Sequence, residues 1–157
     1  GSSGLLADAL DMLADAVVYA LSLMAVGRSL RQQRRAAELS GWLQIALALL
    51  VLADAVRRFI GGSEPLSGPM MGVGLLALIA NVICLDLVRR HRDGGVHMRA
   101  SVIFSTNDTV ANVGVIVAGL LVAWSGSALP DLLIGAAISL LVLRGGERIL
   151  HDARSAV

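Results

Sequence analysis

Asp8, Asp11 and Asp15 stand three and four residues apart inside the apolar run LLADALDMLADAVVYALSLMAVG, residues 5–27. On a helix these acids, with Tyr19 and Ser22, fall within roughly 80° of one another and make one polar stripe on an otherwise apolar cylinder. The run is long enough to span a bilayer, for which about 20 residues suffice. A carboxylate near the bilayer centre costs at least about 2.5–3.5 kcal/mol, so such acids face a bundle interior or a wet cavity. A second stripe lies in SVIFSTNDTVANVGVIVAG, residues 101–119, where Asp108 is the only other acid deep in an apolar stretch. Ser101, Ser105 and Asn112 lie within roughly 60° of it, and Asn107 about 100° away. Taken singly, these small polar groups could equally glue helices together, with Gly114, Ala118 and Gly119 allowing close approach.

The chemistry open to such acids follows from crowding. Carboxylates packed together in a low dielectric cannot all ionise, so some hold protons at neutral pH. A divalent cation needs the same oxygens deprotonated, and its binding expels those protons. If helices rock so that the site opens to each face in turn, the competition becomes metal-for-proton antiport.

The elements that must position these residues are membrane helices. The chain is 56% hydrophobic with 3% aromatics and a mean hydropathy of +0.76, too apolar for an ordinary soluble domain. We expect an all-α polytopic bundle forming a single transmembrane domain over residues 1–157, with five spans near 5–27, 39–60, 70–88, 100–124 and 132–147. The first run is not a signal peptide, because acids interrupt it and no basic leader or cleavage site accompanies it. GSSG at residues 1–4 is read either as a cloning scar or as the native approach to the first helix.

The stretches 28–38 (RSLRQQRRAAE) and 89–99 (RRHRDGGVHMR) read as basic loops, and 144–157 as a polar tail that can prolong the last helix. Eleven of the thirteen arginines lie on this side, against Arg57 and Arg58 on the other. By the positive-inside rule the basic loops and the C-terminus are cytoplasmic, and five spans then put the N-terminus outside, as if a preceding helix were missing. Asp54 with Arg57 and Arg58, and Asp86 with Arg89 and Arg90, have the spacing of ion pairs at the membrane boundary. His91, His97 and His151 read as solvated or phosphate-facing residues beside the arginines. The single cysteine, Cys84, excludes an intramolecular disulfide and a Cys-based zinc cluster. Basic tracts interleaved with aromatics are missing, which argues against nucleic acid as a partner. No hydrolytic or redox constellation points to an enzyme.

LLADALDMLADA resembles the second transmembrane helix of the cation diffusion facilitator family, where two acids four apart supply half of an intramembrane metal site. Asp11 and Asp15 match those positions. Asp108 matches the final acid of a (His or Asp)-x-x-x-Asp pattern in the family's fifth helix. The resemblance covers nearly the whole chain, from the family's second helix to its sixth. It implies a divalent transition-metal efflux transporter in a bacterial inner membrane, working against protons as a homodimer. It implies no tightly bound cofactor, only a transported ion, with zinc first and cobalt, cadmium or manganese as alternatives. Metal ligands would be Asp11, Asp15 and Asp108, with Asp8, Asn107, Asn112 and Ser105 as second-rank groups for ligation or proton passage.

The chain departs from the family pattern in three places. Phe104 stands where the fifth helix should carry His or Asp, leaving an oxygen-only ligand set. The 28–38 segment has no histidine, and the cytoplasmic domain common after the sixth helix has no counterpart in these 157 residues. A non-transporting membrane subunit with a degenerate metal site is the competing reading. An exporter of organic cations is a third, which the low aromatic content disfavours.

Overall fold

The computed structural model describes residues 3–61 and 67–156, with the side chains of 12–61, 72 and 74–156. Among the described residues five α-helices follow one another: α1 (Ser3–Ala25), α2 (Leu30–Gly61), α3 (Ser67–Arg89), α4 (Val96–Ser125) and α5 (Leu129–Ser155). A short 3₁₀ turn, Arg92–Gly94, precedes α4. The protein is an all-α membrane bundle. Of the described helices α2, α4 and α5 are long and apolar enough to cross a bilayer, and Met12–Ala25 is a shorter apolar stretch.

The segment 28–38 differs from expectation. It is not a loop, because α2 already begins at Leu30. Arginine, glutamine, alanine and glutamate are good helix formers, and charge alone does not break a helix that has left the bilayer. The true α1–α2 connection is four residues, 26–29, turning at Gly27 with φ +69°. The tail behaves as expected, since α5 continues to Ser155. At the opposite end Gly126 closes α4 in the left-handed conformation, its N–H donating to Val122 O, a backbone shape that glycine adopts without steric cost.

The bundle is inside-out relative to a soluble domain. Leu23, Phe59, Ile60, Trp124 and Leu133 point outward, while Asp15, Gln44, Asn81, His97, Ser101, Ser105 and Asp108 are buried. Lipid solvates the apolar exterior, so polar groups are gathered where helices meet. The most extensive pairing is α2 on α5. There a Cβ on Gly146 would come within 2.6 Å of Ile45 Cγ1 and 3.0 Å of the Gly41 carbonyl, and one on Gly41 within 2.9 Å of Leu150. Glycines thus let two backbones approach closely, replacing the hydrophobic drive that lipid removes.

An apolar cluster of Ala14, Val18, Ala37, Val96, Ala100, Phe104, Ile149 and Ala153 joins α1 to α2, α4 and α5 near the arginine-rich end. Beside it Leu30, Arg31, Arg34, Arg35 and Glu38 border a surface groove of ≈ 360 Å³. The boundary ion pairs form as their spacing suggests: Asp54 meets Arg57 and Arg58 at 2.6 Å each, and Asp86 meets Arg90 at 2.6 Å. Arg58 also reaches Asp131 at 3.6 Å, tying α2 to α5, a link that local spacing could not reveal.

Candidate metal and proton site

Asp15 and Asp108 meet between α1 and α4. Each is almost wholly buried, at 6% and 5% exposure, and the Asp15 carboxyl lies close to Asp108 and to Asn81 of α3. Two carboxyl groups packed this closely in a low dielectric cannot both carry a charge without a cation beside them. Asp15 Oδ1 has no hydrogen-bond partner among the described residues. The pair is an acidic centre to which α1, α3 and α4 all contribute side chains.

It opens onto a cleft of ≈ 190 Å³ between α1, α3 and α4, lined by Met12, Asp15, Tyr19, Asn81, Cys84 and Asn112 among others. Asn81 and Cys84 lie three residues apart on α3, so one helical face presents an amide and a thiol to the cleft. Asn112 lies one turn beyond Asp108, and its Nδ2 is buried without a partner among the described residues. Ser105, one turn before Asp108, is buried and accepts a hydrogen bond at 3.0 Å from the Tyr19 hydroxyl.

Asn107 lies apart from this cleft. Its amide occupies the space that a Cβ on Gly145 would need, beside Gln44 of α2. The 100° offset on α4 turns it toward α5, and a second polar pocket results, in which both amide atoms of Gln44 and Asn107 Nδ2 are buried without partners among the described residues. Asp8 and Asp11 fall outside the described side chains. Among the described residues no group of three or more histidine, cysteine, aspartate or glutamate side chains is placed to hold one metal ion.

His97 corrects an expectation. It is not a solvated loop residue: it lies in the first turn of α4 with 0% exposure. Gly95, with φ +131°, ends the loop early enough that Val96 and His97 enter the first turn of the helix. His91, whose ring contacts Leu87 O of α3, and His151 are exposed as expected. Nothing in the sequence singles out Asn81, because one amide in an apolar run is ordinary; its proximity to Asp15 depends on how α3 packs.

A bundle of lipid-facing helices that buries a carboxyl pair beside a polar cleft defines a polytopic membrane protein with an intramembrane acid site. The chain belongs to the cation efflux, or cation diffusion facilitator, family: residues 1–156 match its cation efflux transmembrane domain. The zinc transporter ZitB of Escherichia coli (strain K12) is 31% identical over 98% of this chain and 53% of its own length. The cadmium, cobalt and zinc/H(+)-K(+) antiporter of Bacillus subtilis (strain 168) is 23% identical over 97% of this chain and 53% of its own. The metal cation efflux system protein CzcD of Cupriavidus metallidurans is 26% identical over 90% and 49%. The chain spans about half the length of the curated relatives it matches.

Proposed function

We propose that this chain forms the cation pathway of a divalent metal/proton antiporter that exports zinc-class ions, a transporter rather than an enzyme. The observation that carries the reading is the buried contact of Asp15 with Asp108 at the edge of a polar cleft. A pair that shares a proton when empty must release it to take a divalent ion, so metal and proton exclude one another at one place. Asp11 is assigned as the third acid through the family motif. Asn112, Ser105 and water would complete the shell, and Asp8 and Asn107 remain second-rank groups.

Zinc stands first as cargo because relatives are named for zinc, with cobalt, cadmium and manganese as further candidates. The arginine-rich ends of α2, α4 and α5 face the cytoplasm of a bacterial inner membrane in this reading, and the working unit is a homodimer. The test is reconstitution into proteoliposomes with a trapped pH indicator. Zinc added on one side should drive counter-movement of protons, and a panel of divalent ions should rank the cargo. Zinc uptake with no proton movement would refute antiport.

A further inference from the structure

The seam between α1 and α4 carries a line of polar groups, with Ser105 of the proposed metal shell at one end and His97 at the other. From Asp108 toward the arginine-rich end, α4 presents Ser105, Ser101 and His97 at steps of three, four and four residues, and α1 presents Tyr19 and Ser22 opposite them. Tyr19 donates to Ser105 Oγ at 3.0 Å. Ser22 and Ser101 join hydroxyl to hydroxyl, and Ser22 also contacts the His97 carbonyl at 3.3 Å. Ser22, Ser101, Ser105 and His97 are all buried, and neither ring nitrogen of His97 has a hydrogen-bond partner among the described residues. A buried polar atom left unmatched costs about 1–3 kcal/mol, and the Tyr19–Ser105 and Ser22–Ser101 contacts would hold the helices together without the two unmatched ring nitrogens of His97. Next to His97, Gln33 of α2 lies against Gly95, where the seam reaches the arginine-rich end.

We propose that this seam is a proton conduit, from the Asp15–Asp108 pair through Tyr19 and Ser105, then Ser22 and Ser101, to His97, separate from the α1–α3–α4 cleft that admits the metal. The inference rests on the antiport reading. Its chemistry is a relay in which water carries the proton across the one-turn gaps between hydroxyl pairs. The carboxyl O–H breaks, and the proton forms a new O–H on the next oxygen. That oxygen passes its own proton onward, so every hydroxyl keeps one hydrogen after it reorients. At His97 one ring nitrogen accepts a proton on its lone pair while the other gives one to water at the arginine-rich end. The net change is one proton moved, with no electron transferred. Tyr19, which borders both the cleft and the seam, is the branch point at which metal and proton part.

The test compares wild type with Ser22→Ala/Ser101→Ala, with Ser101→Ala alone and with His97→Gln, all in proteoliposomes. Equilibrium zinc binding is read by calorimetry, and zinc-driven proton release by stopped-flow pH indicator. The conduit predicts unchanged zinc affinity with proton release slowed by about tenfold or more, the low side of what a positioned proton-transfer group contributes. Ser101→Thr, which restores a hydroxyl, should recover the rate. Wild-type proton release in these variants would overturn the conduit. So would zinc affinity falling in step with proton release, because the hydroxyls would then merely hold α1 against α4. Failure of the wild-type chain to bind zinc would instead overturn the antiport reading, so the two failures are distinguishable.

Discussion

Asn81 of α3 lies beside the Asp15 carboxyl of α1, bringing a third helix to an acid pair otherwise built by α1 and α4. An amide at this place can donate to the carboxyl and hold its orientation. Partners that orient a metal-binding carboxylate are worth about 10- to 100-fold in metal affinity. Asn81→Leu should weaken zinc binding by about that factor while leaving the bundle folded. Calorimetry with a thermal-unfolding control checks it, and wild-type affinity would remove Asn81 from the site.

Acids inside the bundle and acids at its boundary should separate by role. Asp15→Asn and Asp108→Asn each remove a charge from the buried pair and are expected to abolish metal-driven proton flux in a folded protein. Asp54→Asn and Asp86→Asn disturb exposed or half-exposed ion pairs, worth about 0–1 kcal/mol, and should leave transport largely intact. Arg58 would still have Asp131 when Asp54 is lost. Flux assays on the four variants decide, and loss of transport in the boundary pair would relocate the pathway.

This contrast also marks what the sequence makes legible. Acids in apolar runs reveal themselves by their cost, so the two stripes that meet as Asp15 and Asp108 could be read before any fold. Asp54 and Asp86 were equally legible, because their partners lie within one turn. His97 was not: two residues past Gly95, a histidine beside arginines looks the same until the bundle covers it. Asn107 shows the same limit, since only the position of Gly145 on a distant helix turns its amide from the cleft. Residues 30–38 misled for another reason, polarity marking exit from the bilayer rather than the end of a helix.

Packing makes a stability prediction that owes nothing to metal. Gly146→Ala puts a methyl group into Ile45 and the Gly41 backbone, and should cost about 1–3 kcal/mol, as overpacking does. Gly135, on the same helix, has nothing within 4 Å of its virtual Cβ. Gly135→Ala should be neutral or stabilising by up to about 1 kcal/mol through helix propensity. Thermal unfolding in detergent micelles measures both, and equal shifts would contradict the close α2–α5 approach.

Phe104 gives a prediction about selectivity. The side chain is fully buried, in a cluster that includes Ala14 and Val18 of α1, and its backbone lies one turn before Asp108. Imidazole favours zinc, whereas oxygen donors discriminate less between zinc and manganese. Phe104→His should raise the zinc-to-manganese affinity ratio by setting a nitrogen donor beside the acids. Calorimetry with both metals tests this, and an unchanged ratio would mean that position 104 serves packing alone.

The glycine seam between α2 and α5 also has a mechanical side. The two helices are distant in the chain yet touch backbone to backbone where Gly41 meets Gly146. A tether pulling on the end of α5 along its axis would load that seam in shear, with contacts strained together rather than peeled one by one. Extraction from the bilayer should then proceed in one large force step, with α2 dragged out beside α5.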